Sequence, residues 1–395
     1  MHTDTDHALM DQALEQARRA QCLSAPNPAV GCVISRADGT VIGLGHTQRV
    51  GQAHAEVMAL RDAQSRGQDT GGATAYVTLE PCSHTGRTPP CVDALIAARL
   101  ARVVVAVDDP NPLVAGRGLT RLRAAGLRVD LGLRAREARE INPGFFSRFE
   151  RGRPWVRMKA AASLDGYTAL PDGRGQWITE AAARRDGHAW RARAGAILSG
   201  IGTVLADDAR LDVRLDEAQA ARAWDGGEPR QPLRVLVDSR LRVPLDARIL
   251  APPGQPWVAT TQGPQGAASA KLDALLAQGV RVLTLPDANG RVDLAALLQT
   301  LAREHINEVH VEAGAHLNGA LLQAGCVDEL LLYVAPKMLG AGRGLWTLPA
   351  LGGLDAAVSW RLGEATLIGN DARLRVYHPD SAAFLEAVPA SSTPI

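Results

Sequence analysis

The strings HAE at residues 54–56 and PCSHTGRTPPC at residues 81–91 place the tightest constraint on how this chain can fold. They supply one imidazole and two thiols, His54, Cys82 and Cys91, within 38 positions. Three nitrogen and sulfur donors with one position left for water make an open, catalytic zinc site, so a fold that uses them must bring all three to one point. One imidazole and two thiolates already offset the charge of Zn²⁺. Glu56, two residues beyond His54, is then more useful as a proton carrier beside the metal than as a ligand on it.

A spare glutamate beside such a donor set suits hydrolytic deamination, in which activated water attacks an amidine-like ring carbon while the glutamate shuttles protons. Plainer readings compete: a closed structural site tethered to a binding module, which needs a fourth ligand and no Glu56, or two unrelated buried cysteines. Eight residues separate the cysteines, where the common deaminase signature has two. That longer loop carries His84, Arg87 and Thr88 as candidate substrate contacts, and His84 is the rival for a fourth zinc ligand. A nucleic-acid deaminase would need a basic groove and stacking aromatics. The net charge of +1 and the 4% aromatic content argue against one, and favour a small-molecule substrate with no nucleic acid and no membrane as partner.

At 395 residues the chain has room for two domains of ordinary size. The first 20 residues read as a polar, amphipathic helix without the basic and apolar regions of a signal peptide. No apolar run approaches the length of a membrane span. Five cysteines, an odd number in a large chain, fit a reducing cytoplasm better than a disulfide framework.

The hydrophobic pattern alternates between strand and helix, the signature of an α/β architecture. Strands are predicted near 30–34, 41–45, 75–79 and 102–107, and helices over 53–63, 91–100 and 119–125. His54 and Glu56 then lie in a first helical turn, and Pro90 suits the start of the helix that Cys91 opens. Two helix starts thus converge on the proposed metal. The arginine-rich stretch FFSRFERGRP at 145–154 reads as a linker. It sets the expected domains at 1–148 and 149–380, with 381–395 a mobile tail. The second domain repeats the alternation, with strands near 156–161, 196–200, 233–238, 257–261, 280–283, 309–312, 329–334 and 373–378 and a helix over 181–193.

Its chemical signals are weaker. SGIGTV at 199–204 has a glycine pair after a strand but lacks the third glycine of a dinucleotide fingerprint, so a plain strand-to-helix turn explains it as well. In VHVEAGAHLNGALL, from Val309, a strand ends at Glu312 and glycines open a helix whose free amides suit a phosphate.

The strings PNPAVGCVI, HAEVMAL, YVTLEPCSHTGRTPPC and DPNPLVAGRG, followed by KAAASLDG, QWIT, GTVLADD and VEAG, resemble in order and spacing the bifunctional deaminase/reductase family of riboflavin biosynthesis. The resemblance runs over residues 6–378. It implies an N-terminal cytidine-deaminase-like three-layer zinc domain and a C-terminal dihydrofolate-reductase-like α/β domain. It also implies Zn²⁺ and NADPH as cofactors and a phosphoribosylaminopyrimidine substrate, deaminated at C2 and then reduced from ribosyl to ribityl. Lys159, Ala161, Trp177, Thr203, Asp207 and Ser239 fall where the family lines its NADPH site, with Gly314, Ala315, His316, Leu317, Asn318, Gly319 and Ala320. Gly175, Arg191, Leu211, Arg214 and Glu312 fall on the substrate side of the reductase, and Asn27 on that of the deaminase. Arg191 and Arg214 suit a ribose phosphate by charge and fork geometry, although an isolated arginine is more often a solvated surface charge. Asp207 is the acid candidate for the reduction, and Lys159 a group to polarise an imine or hold phosphate. Gly175 stands where the family commonly has serine, and Ala315 and His316 replace more usual residues. A homo-oligomer, dimer or tetramer, is expected.

Overall fold

The computed structural model describes residues 2–84, 89–224, 230–263 and 269–387. It divides into two compact units, one of residues up to Arg151 with short pieces at 220–228 and from Ala383 on, the other of Gly152–Gln219 and Pro229–Ala382.

The first unit is a five-stranded sheet ordered β2-β1-β3-β4-β5. Its strands are β1 (Gly31–Ser35), β2 (Val41–His46), β3 (Thr74–Val77), β4 (Arg102–Val105) and β5 (Arg128–Leu131), around which lie helices α1 (Asp4–Ala20), α2 (Ala55–Ser65), α3 (Cys91–Ala97), α4 (Arg117–Ala124), α5 (Ala135–Ile141) and α6 (Pro143–Arg151). The hairpin pair β1–β2 and the pair β1–β3 are antiparallel, whereas β3, β4 and β5 run parallel. Local capping fixes the start of α1, where the Asp6 amide donates to Thr3 Oγ1 (3.1 Å) and the Thr3 amide to Asp6 Oδ2 (2.9 Å). The same carboxylate accepts from the Tyr76 hydroxyl and from Arg102 Nη1, both at 2.7 Å, which pins the helix start to β3 and β4. β2 passes so close to α2 that a Cβ on Gly45 would lie 2.3 Å from the Ala55 carbonyl oxygen, and one on Gly43 2.3 Å from that of Ala59.

Residues 143–151, most of the expected linker, form α6, with Phe145 and Phe146 buried. The arginines conceal its apolar face. Arg139 stacks 4.3 Å from the Phe146 ring centre and Arg148 4.3 Å from that of Phe149, so guanidinium planes lie on aromatic faces while the composition reads as charged.

The second unit is a nine-stranded sheet ordered β11-β10-β9-β8-β12-β6-β13-β16-β15. Its strands are β6 (Trp155–Ser163), β8 (Ala196–Gly200), β9 (Leu233–Val237), β10 (Pro256–Thr260), β11 (Arg281–Thr284), β12 (Glu308–Val311), β13 (Glu329–Ala335), β15 (Arg361–Ile368) and β16 (Asp371–Tyr377), with β7 (Tyr167–Ala169) and β14 (Arg343–Gly344) forming a separate ribbon. Pairing is parallel from β11 to β13 and antiparallel across β16 and β15. Helices α7 (Ala181–Arg193), α8 (Ile201–Asp207), α9 (Glu217–Trp224), α10 (Ser269–Ala277), α11 (Leu294–Arg303), α12 (Ala315–Gln323) and α13 (Pro379–Glu386) complete the chain. The parallel strands are apolar on both faces: Ala196 and Leu198 enter one core cluster and Ile197 the other.

Near α7 the packing is ionic. Arg157, fully buried on β6, pairs with Glu329 at 2.9 Å and Glu308 at 2.8 Å, and Arg375 pairs with Glu329 at 2.7 Å. Residues 381–386, expected as part of a mobile tail, belong instead to α13, where Ala382 and Leu385 are buried and the Ser381 hydroxyl donates to Asp328 at 2.7 Å. Pro379 at its first position suits a helix start. Residues 388–395 of that expected tail lie outside the described residues. Among the described residues no helix is long and apolar enough to cross a membrane.

Candidate functional site

Three separate pieces of backbone deliver the donor set. His54 is the extended N-cap of α2, Cys82 follows the end of β3, and Cys91 is the first residue of α3. The two sulfurs lie 3.5 Å (Cys82) and 3.3 Å (Cys91) from His54 Nδ1, and all three donor atoms fall within 4.8 Å of one another. Zinc bonds of about 2.3 Å to sulfur and about 2.0 Å to nitrogen, at tetrahedral angles, separate S from N by about 3.5 Å. The donors are therefore spaced for one such ion, and their chemistry fits zinc. Among the described residues the cluster has three members. His84 is exposed, and Arg87 and Thr88 lie outside the described residues.

The hydrogen bond from Cys91, with help from His54, brings the Cys82 thiol down to about 4, while its contact with Cys82 and burial push Cys91 up. The hydrogen bond with Cys82 raises His54. Glu56, 3% exposed in the first turn of α2, is pushed up to about 7 by burial and by the charge on Cys82. A carboxyl poised there suits proton transfer near neutral pH. An open cavity of about 830 Å³ reaches His54 and Cys91 and is lined also by Gln48, Gln52, Met58 and Arg61. Asn27 is half-buried in a turn closed by its own amide on the Ser24 carbonyl at 2.9 Å.

Glu80, two residues before Cys82, was not singled out as a site residue from sequence, yet its buried carboxylate organises the neighbouring loop. Oε2 accepts from the amides of Gly116 (2.9 Å) and Asp109 (3.3 Å), and Oε1 from those of Gly118 (2.9 Å) and Leu119 (3.2 Å). Its place in the string LEPC, directly beside a metal ligand, was the available signal.

In the second unit the structure brings Lys159, Arg191 and Glu312 together. Arg191 grips Glu312 with two nitrogens, Nη2 at 2.9 Å, and Lys159 Nζ lies 3.6 Å from the same carboxylate. Burial would raise Glu312, but Arg191 and Lys159 hold it well below the usual carboxylate range. Arg214 is more than half exposed, with Nη1 2.7 Å from Asp212. Leu211 is buried in a core cluster with a left-handed φ of 55°.

Gly314 caps α12 without a side-chain hydrogen bond, so the first-turn amides are open to a phosphate, which fits the pyrophosphate of a dinucleotide. Along the run 314–320, Gly314 and His316 are exposed, whereas Asn318 and Gly319 are buried and the Asn318 amide donates to the carbonyls of Ala313 (3.1 Å) and Leu345 (3.2 Å). Backbone rather than the Asn318 side chain is thus what this turn presents. Leu317 packs against the core, Ala315 and Ala320 are half-buried, and so are Ala161, Thr203 and Ser239. Asp207 is exposed at the end of α8, and the exposed Trp177 carries Arg184 4.4 Å from its ring centre. A Cβ on Gly175 would lie 2.7 Å from the Thr168 carbonyl oxygen, a close approach that accounts for glycine there.

Residues 3–107 match the cytidine and deoxycytidylate deaminase zinc-binding region, and residues 154–374 match the RibD C-terminal domain. The riboflavin biosynthesis protein RibD of Escherichia coli K12 is 48% identical over 375 residues, covering 94% of this chain and 99% of that one. Among solved structures, Acinetobacter baumannii RibD aligns with a TM-score of 0.83 at 41% identity over 94% of this chain and 98% of its own. A Thermotoga maritima diaminohydroxyphosphoribosylaminopyrimidine deaminase/5-amino-6-(5-phosphoribosylamino)uracil reductase aligns at 0.80 and 28%, over 95% and 99%.

Proposed function

The chain belongs to the RibD family, a zinc-dependent deaminase joined to an NADPH-dependent reductase in riboflavin biosynthesis, and on that premise we propose how its own residues divide the work. The substrate is 2,5-diamino-6-(5-phospho-ribosylamino)pyrimidin-4(3H)-one. It loses its 2-amino group as ammonia in the first unit, and its ribosyl chain is reduced in the second to give 5-amino-6-(5-phospho-ribitylamino)uracil.

His54, Cys82 and Cys91 hold the zinc, which when bound supplies Lewis acidity and brings the ionisation of water toward neutral pH. Glu56 takes a proton from the attacking water and returns one to the departing amine, so that water and an amino-pyrimidine become a pyrimidinone and ammonia. Asn27 helps to orient the ring. The single observation that carries this half is the meeting of three donors at zinc spacing beside a buried carboxyl.

In the second unit NADPH supplies a hydride when bound. The amides at the start of α12 hold its phosphates, with Lys159, Ala161, Trp177, Thr203, Asp207 and Ser239 along the rest of the cofactor. Arg191 and Arg214 take the substrate phosphate, Glu312 holds Arg191 in place, and Gly175 and Leu211 bound the substrate. Asp207 is the proton source for the reduced sugar.

The protein works in the cytoplasm on a small molecule, with neither nucleic acid nor membrane as partner, and assembles as a homo-oligomer. Support for assembly lies near and along the outermost strand, β15, where Leu354 (93% exposed) and Leu367 (77% exposed) offer apolar surface. Supplying the diaminopyrimidine ribotide with and without NADPH tests the reading. Without NADPH the product should stop at the deaminated ribosyl compound. No ammonia release by the zinc-loaded protein sinks the first half, and an NADPH-independent product sinks the second.

A further inference from the structure

Among the described residues, no backbone–backbone hydrogen bond reaches the segment 209–216 that carries Arg214. Residues 208–216 are irregular, and Leu211 keeps its left-handed backbone, which is costly for a leucine unless its surroundings enforce it. Side chains supply the hydrogen bonds instead. Arg191 Nη1 donates to the Asp212 carbonyl at 2.9 Å. Gln231 clasps Val213 on both sides, with Oε1 accepting from its amide at 2.8 Å and Nε2 donating to its carbonyl at 3.1 Å. His188, one turn before Arg191 on α7, accepts the Arg214 amide on Nδ1 at 3.2 Å. Four consecutive backbone polar groups, from the Asp212 carbonyl to the Arg214 amide, are therefore satisfied by three side chains.

We propose that His188 and Gln231 are positioning residues of the reductive site, which strap the irregular segment at 211–214 so that Arg214 is presented to the substrate phosphate. The proposal rests on the reading of Arg214 as a phosphate contact. An imidazole that accepts on Nδ1 carries its proton on Nε2. Burial and the charges of Arg191 and Arg214 hold His188 down to about 4, which keeps that acceptor available at neutral pH. Because Arg191 is itself held by Glu312, the strap and the anion site share one set of supports.

The test uses full-length, zinc-loaded protein, the deaminated ribosyl intermediate with and without its phosphate, and NADPH. His188→Leu removes the acceptor, whereas His188→Asn places Oδ1 where Nδ1 stood. A neutral hydrogen bond of ordinary worth predicts a rise of about 5- to 10-fold in KM for the phosphorylated intermediate in His188→Leu and Gln231→Leu. KM for NADPH and for the phosphate-free intermediate should stay near wild type, and His188→Asn should restore KM to within about 2-fold. An Arg214→Ala enzyme with unchanged KM for the phosphorylated intermediate overturns the phosphate reading and the strap with it. If Arg214→Ala raises that KM, the strap alone is overturned by any of three results: no effect of His188→Leu, no rescue by asparagine, or an equal rise in KM for NADPH.

Discussion

The two sites are built in opposite ways. The first draws His54, Glu56, Cys82 and Cys91 from the ends of two helices and one strand within a short stretch of chain, and its residues touch one another directly. The second draws Lys159, Arg191 and Glu312 from β6, α7 and the end of β12, and binds them into the ionic packing of the unit. A local site can fail alone, because its residues carry little of the surrounding core. A distributed site fails together with the stability of its unit.

Substitutions put that contrast to the test. The largest effect is expected from Cys91→Ala. Zinc content should fall to background and deamination become undetectable, while the protein still reduces supplied deaminated intermediate; loss of both activities would contradict a self-contained first site. Glu56→Gln should keep its zinc and lose about 10²- to 10⁴-fold in deamination rate, and near-normal ammonia release would remove Glu56 from the mechanism.

Arg191→Ala should lose reduction and stability together, by about 3 kcal/mol, because it strands Glu312 with one partner fewer in a buried place. An unchanged unfolding midpoint would show that the second site is as separable as the first.

Acid should reveal the same coupling. Burial opposes ionisation of Glu329, but Arg157 and Arg375 bring it down to about 2 from an ordinary 4.5. Its folded value is the lower one, so its stabilisation is fully present above about pH 4.5 and drains away as pH falls toward 2, by about 3 kcal/mol in all. Thermal melts that stay flat between pH 5 and pH 2.5 would argue against it.

Gly175→Ser should cost least, about 1 kcal/mol, since the Thr168 carbonyl has to yield to the new Cβ. The substituted enzyme should melt slightly lower, and an unaltered or higher melting point would show that close approach does not select glycine there.

The same contrast explains what could be read from sequence. The cluster of His54, Cys82 and Cys91 was legible because residue type and position at the ends of elements both pointed to it, and the α/β alternation carried the fold of each unit. Lys159, Arg191 and Glu312 were named only through resemblance, since an arginine at 191 and a glutamate at 312 look like solvated charges until tertiary structure pairs them. His188 and Gln231 were passed over because their partners are backbone atoms of another segment, and no spacing rule reports such bonds. The stretch at 145–154 misled because Arg148, stacked on Phe149, is tallied as linker charge. The terminal helix from Pro379 was missed because a proline and two acidic residues hide the buried Ala382 and Leu385.

The close seating of β2 against α2 bears on how the first catalyst can vary. With Gly43 and Gly45 allowing near backbone contact at Ala55 and Ala59, the strand acts as a hard stop that sets the height of the whole helix. A methyl group added at either position would lift His54 and Glu56 together as a rigid body. Metal affinity and turnover would then both decline, although the altered residue touches no reacting atom.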